Sequence, residues 1–135
     1  MAERKAKVLV VDDDSFIREV LASILEGEGY DSLTAGDGKE ALAAFGADPG
    51  GIGLIVSDLN MPEMSGMELI GKVREAGSEV PIIILTGNSE ISDAIAAVRS
   101  GANDYLEKDE NIQDTIVLSV EKVLEKHALK QRNTR

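Results

Sequence analysis

Three stretches of the chain, residues 7–11, 52–56 and 80–85, are short continuous apolar runs rich in Val and Ile. Runs of this length without polar alternation fit strands buried on both faces, as in a parallel sheet. Weaker strand candidates at 31–35 and 104–106 each lie between a helical pattern and a turn or capping signal. Between these runs the apolar positions change to helical spacing. The first such segment carries Phe16, Ile17, Val20, Leu21, Ile24 and Leu25, ends at Gly27 and Gly29, and has Asp14 or Ser15 placed to cap its start. Further helical patterns cover 39–45, 66–76, 91–100 and 112–129, with Gly77 and Gly101 as stops. Strand followed by helix, five times over, predicts right-handed crossovers and a parallel sheet covered on both faces, the doubly wound α/β architecture.

A length of 135 residues with 43% hydrophobic content suits one domain with one sizeable core. We assign it to residues 1–126, and residues 127–135 to a polar tail or the start of a linker to an output domain. No apolar run approaches the roughly 20 residues that span a bilayer, and the N-terminus lacks the apolar region of a signal peptide, so a cytoplasmic location is expected. The absence of cysteine excludes disulfides, thiolate metal sites and a cysteine nucleophile. A net charge of −11 argues against direct nucleic-acid binding. Solubility accounts for most of the acids, but not for those at the ends of apolar runs.

Ligands of open parallel sheets bind beyond the carboxyl ends of the strands. There the chain places Asp12, Asp13 and Asp14 after the first strand, Asp58 after the third, Thr86 after the fourth and Lys108 after the fifth. Clustered carboxylates repel unless a proton or cation neutralises them. Every available ligand is a hard oxygen, which favours Mg2+ over zinc or copper. A carboxylate beside magnesium and a lysine is equipped to attack phosphorus and form an aspartyl phosphate, with Thr86 able to donate to a phosphoryl oxygen. Taken singly, Asp13 and Asp14 read as helix caps, Thr86 as a strand residue and Lys108 as a surface lysine. His127 receives no role. It is the joint placement on four strand ends that points to chemistry.

The segment Val-Leu-Val-Val-Asp-Asp-Asp at 8–14 and the run Asp-Leu-Asn-Met-Pro-Glu-Met-Ser-Gly at 58–66 resemble response-regulator receiver domains of two-component signalling, of the chemotaxis-regulator kind. Residues 81–86 and 100–108 look like the family's fourth and fifth strands, and the resemblance spans about 5–127. It implies a flavodoxin-like sheet in the order 2-1-3-4-5. It further implies that Asp58 accepts a phosphoryl group from a phosphohistidine on a sensor histidine kinase or histidine phosphotransfer protein. Asp13 would bind Mg2+ directly, Asp12 partly through water, and Asn60 through its backbone carbonyl. Lys108 would pair with the phosphoryl group, Thr86 would swing toward it, and Tyr105 would turn inward as the family's aromatic switch. The signal would pass to a downstream effector protein or domain. Asn60 and Asn88 would overlook the phosphoryl site and influence its hydrolysis.

The family usually has proline after the lysine, in a cis peptide, where this chain has Asp109. A non-proline cis bond costs about 3 kcal/mol, so a trans bond is expected here, with a more mobile loop before the last helix. Two other readings compete. A haloacid-dehalogenase-like phosphatase would use Asp12 and Asp14 as nucleophile and acid, yet Phe16 stands where its threonine belongs, and a late acidic pair and a substrate cap are lacking. A non-phosphorylated receiver-like interaction module would draw on the Lys108–Asp109 departure alone.

Overall fold

The computed structural model describes residues 6–48, 50–61, 63–87 and 91–133. The elements alternate as β1 (Lys7–Val11), α1 (Ser15–Gly27), β2 (Asp31–Ala35), α2 (Gly38–Ala47), β3 (Leu54–Asp58), α3 (Gly66–Glu75), β4 (Ile82–Thr86), α4 (Ile91–Arg99), β5 (Asp104–Glu107) and α5 (Ile112–Asn133). All strand pairs are parallel and the order is β2-β1-β3-β4-β5, the flavodoxin-like arrangement the sequence predicts.

Side chains of a strand point alternately to opposite faces, so the uninterrupted apolar runs supply two cores at once. Leu9, Val11, Ile55, Ile82 and Ile84 pack with Phe45, Leu69, Ile70 and Val73 on one side. Val8, Val10, Leu54, Val56, Ile83 and Leu85 pack with Leu21, Leu25, Ile116 and Val120 on the other. Burying each of the large aliphatic side chains stabilises the fold by about 1.5–3 kcal/mol before entropy is counted. A polar residue in these runs would expose its cost to one core or the other. The polar groups accordingly begin where the strands stop.

Two strand boundaries differ from those read in the sequence. β3 and β4 start at Leu54 and Ile82 rather than at 52 and 80. Ile52 and Val80 are 3% and 7% exposed, so they carry the apolar signature of a strand while standing outside the ladder. Gly53 donates its N–H to the Lys7 carbonyl and the Val80 N–H goes to the Ser78 hydroxyl. α5 runs to Asn133, beyond 129, because nothing in the polar tail breaks a helix.

Caps fix the helix starts that border the upper end of the sheet. Asp14 accepts from the N–H groups of Phe16 and Ile17, settling the choice between it and Ser15. Ser65 and Glu68 form a capping box on α3. A Cβ on Gly66 would lie 2.6 Å from the Asp58 carbonyl oxygen and 3.0 Å from Leu59 Cα. Only glycine lets α3 start against the backbone of β3. Gly66→Ala should therefore destabilise the fold by about 1–3 kcal/mol, measured by urea unfolding; an unchanged midpoint would contradict this close approach.

Candidate functional site

β1 hydrogen-bonds to β2 on one side and β3 on the other, so the chain reverses its winding there and the loops after β1 and β3 diverge into a crevice. Asp12 follows β1, Asp58 ends β3, Thr86 ends β4 and Lys108 follows β5. Asp12 and Thr86 are fully buried and Asp58 is 6% exposed, whereas Asp13 is exposed. Lys108 Nζ lies 3.1 Å from Asp12 Oδ2 and 3.2 Å from Asp58 Oδ1, so the ends of the neighbouring strands β1 and β3 meet one ammonium carried from beyond the edge strand β5. Carboxylate oxygens of Asp12, Asp13 and Asp58 all lie within 4.8 Å of one another. Four of the residues singled out by their strand-end positions thus converge.

Asp14 does not join them, since its carboxylate caps α1. A residue missed by the sequence reading does take part: Arg18 Nη1 donates to the Asp12 backbone carbonyl at 2.7 Å. With the Asp14 N–H on Asp12 Oδ1 at 2.9 Å, it holds the acidic loop from both backbone and side chain. The available signal was a cation in the first turns of a helix, where the dipole disfavours it.

Burial pushes the Asp58 carboxyl up to about 6; Lys108 opposes that rise, and Asp12 and Asp13 add to it. For Lys108, burial acts to lower the pKa, but attraction to Asp58 and Asp12 outweighs it and the net direction is upward. Three carboxylates against one ammonium leave the cluster short of two positive charges. The donor set, hard oxygens only, with two ligands buried and one open to water, fits a small divalent cation.

A family model described as "Response regulator receiver domain" matches residues 8–121. The chain belongs to that family. The receiver is 42% identical over 105 residues to the probable transcriptional regulator ycf27 of Porphyridium aerugineum, covering 78% of this chain and 42% of that protein. It is 48% identical over 103 residues to a 14.6 kDa protein of Leptolyngbya boryana, covering 75% and 77%. Among solved structures it superposes on a response regulator receiver domain protein from Clostridium thermocellum with a TM-score of 0.86 at 32% identity, covering 93% and 98%. The chain spans less than half the length of the curated transcriptional regulators it matches. The family is one of signalling phosphoacceptors rather than classical enzymes. No helix among the described residues is long and apolar enough to cross a membrane.

Other receiver positions fall as follows. The Thr86 hydroxyl donates to the Leu106 carbonyl at 3.4 Å, tying it to β5. Tyr105 is half-buried and packs against the core cluster that contains Ala97 and Ala102. Asn60 sits exposed two residues past Asp58, and Asn88 lies outside the described residues. No cis peptide occurs among the described residues, so the Lys108–Asp109 bond is trans, as expected, and Lys108 still reaches both carboxylates. Asp109 has local work of its own: its side chain accepts from the Asn111 N–H at 2.9 Å and its carbonyl from the Ile112 N–H at 3.1 Å, shaping the turn into α5.

Proposed function

We propose that this receiver takes a phosphoryl group onto Asp58 from a phosphohistidine, on a sensor histidine kinase or histidine phosphotransfer protein, and signals to an effector protein or domain. The observation that carries the reading is the Asp58 carboxylate, nearly buried at the end of β3, with Lys108 3.2 Å away and two further carboxylates beside it. Asp58 Oδ attacks phosphorus as the bond from phosphorus to the donor nitrogen breaks, and the leaving imidazole takes up a proton. Lys108, positioned by Asp12, turns to the phosphoryl oxygens and offsets their charge. Mg2+ would be held by Asp12, Asp13, Asp58 and the Asn60 carbonyl, and when bound it supplies the two positive charges the cluster lacks.

Thr86 would exchange its bond to Leu106 for one to a phosphoryl oxygen, and Tyr105, already packed on the core, would settle into the space this opens. Such a change is a shift between two conformations that differ in affinity for the phosphoryl group. The reading places the protein in the cytoplasm with its kinase, and treats residues 127–135 as a polar tail or the start of a linker to an output domain. The phosphatase alternative loses its acid here, because Asp14 is engaged in capping α1.

The test is incubation with Mg2+ and a small acyl phosphate. A phosphoryl mass increment labile to hydroxylamine should appear in the parent, vanish in Asp58→Asn, and fall at least about tenfold in Asp13→Ala, which removes a cation ligand. Parental labelling of Asp58→Asn would refute the assignment.

A further inference from the structure

At the end of the sheet where the strands begin, Arg74 leaves the last turn of α3 half-buried. Its guanidinium donates to the Gly101 carbonyl from Nε at 3.2 Å and from Nη2 at 2.7 Å, to the Ser78 carbonyl from Nη1 at 2.9 Å, and to Asn103 Oδ1 from Nη2 at 3.3 Å. All these acceptors are neutral. Among the described residues no carboxylate forms an ion pair with it, although charges taken out of water are ordinarily paired. Burial pulls its pKa down, and only the field of Glu79 opposes that.

Arg74 lines a cavity of about 530 Å³ together with Asn103, Glu79 and, from α5, Lys126, His127 and Lys130. Ala102 and Val123, both buried, add apolar surface to it. The Asn103 amide is fixed there. Its oxygen is the atom that accepts from the Ile82 N–H at 2.9 Å and from Arg74, because both of those partners are donors. Its NH2 group is thereby oriented, and among the described residues it makes no hydrogen bond. Lys126 and His127 likewise have no polar partner among the described residues, in a chain that carries 25 acids. The acid on the rim, Glu79, lies 3.9 Å from Lys130.

We propose that this cavity binds a small organic phosphate of about mononucleotide size, with its phosphate among Lys126, His127 and the Asn103 NH2 above Arg74, and its organic part against Ala102 and Val123. A phosphate dianion matches the two positive charges, Arg74 and Lys126, that the chain leaves uncompensated, and its three oxygens suit donors arriving on separate stems. A carboxylate would be satisfied by one lysine. The volume falls in the range of small-molecule sites and exceeds what a bare phosphate fills. β5 runs from Asp104, next to this cavity, to Glu107, next to Lys108, so the site lies at the other end of the sheet from Asp58 and does not call on it.

The test is titration of AMP, adenosine and inorganic phosphate into the isotopically labelled full chain at constant ionic strength, followed by amide chemical shifts. Mg2+ is left out, so that the acidic cluster repels the probes. AMP should give saturable shifts at Gly101, Ala102, Asn103 and residues 123–130, with a Kd on the order of 0.1–1 mM. Inorganic phosphate should bind the same residues several-fold more weakly, and adenosine should leave them unmoved. Asn103→Asp keeps the oxygen used by Ile82 and Arg74 but turns the free NH2 into a charged oxygen. It should retain the parental unfolding midpoint and weaken AMP about tenfold or more. Lys126→Gln should also weaken it about tenfold, whereas Glu79→Gln, which removes the acid of the rim, should tighten it about threefold. Shifts that never saturate, adenosine binding as well as AMP, or parental affinity in a folded Asn103→Asp would each overturn the proposal.

Discussion

Asp58→Asn should make the metal-free protein more stable at pH 7.5 by about 2 kcal/mol, even as it removes the proposed acceptor. The folded protein raises the Asp58 pKa from 3.8 to about 6, chiefly through burial. Between those values the native state binds a proton that the unfolded chain has released. Stability therefore rises as pH falls through about 6, and the full cost of the buried charge is present above it. Asparagine keeps the shape and removes the charge. Thermal unfolding should show a midpoint higher by roughly 8 °C at pH 7.5 and little difference at pH 4. A variant less stable than the parent at pH 7.5 would mean that Lys108 already compensates the charge, contrary to the upward shift. The parent itself should gain about 1.4 kcal/mol in Mg2+ at ten times its dissociation constant, by mass action on the native state, and Asp58→Asn should gain less.

Lys108→Ala is expected to act in the opposite direction. It strands two carboxylates, Asp12 with a fully buried side chain and Asp58 with one 9% exposed. Removing one member of a buried pair commonly costs about 3–5 kcal/mol. Because the lysine side chain is itself 24% exposed and water can enter where it stood, we expect about 2–3 kcal/mol at pH 8 without metal. The raised Lys108 pKa means that its stabilising charge is present throughout the neutral range and is lost only as pH climbs through the alkaline one. Without the ammonium, which opposes the rise of the Asp58 pKa, Asp58 holds its proton still more tightly, so the deficit should shrink as pH is lowered toward 5. Mg2+ should recover part of it by supplying positive charge to the same oxygens. Denaturant melts at pH 8 and pH 5, each with and without Mg2+, check all three expectations, and an unchanged midpoint at pH 8 would sink them. Phosphoryl uptake by this variant should persist while its conformational response is lost.

The opposed signs express one feature: the site is arranged around charge it does not neutralise by itself. Such a site is costly to hold empty and responsive to what enters it. The Arg18 and Asp14 hydrogen bonds to Asp12 keep the acidic loop from relaxing away from Asp58.

Much of this is legible in the amino-acid sequence alone. Two-sided burial requires the three uninterrupted apolar strands, and a parallel sheet with helices on both faces satisfies them, together with the two weaker edge strands, in alternation with amphipathic segments. Polar residues that close apolar runs must emerge at strand ends, so the same pattern puts Asp12, Asp13, Asp58, Thr86 and Lys108 at one end of the sheet. Strand limits were less legible: Ile52 and Val80 are as buried as ladder residues, and composition reports burial rather than hydrogen bonding. Three matters belonged to the tertiary structure alone. Arg18 reaches Asp12 across a turn of α1, a contact set by side-chain direction. Lys108 bridges Asp12 and Asp58 although a trans bond to Asp109 replaces the family's usual proline geometry. The Thr86 hydroxyl donates to the Leu106 carbonyl on the neighbouring strand. Period and spacing decide which residues share a face or an end, whereas distances of about 3 Å between side chains remote in sequence depend on how the layers pack.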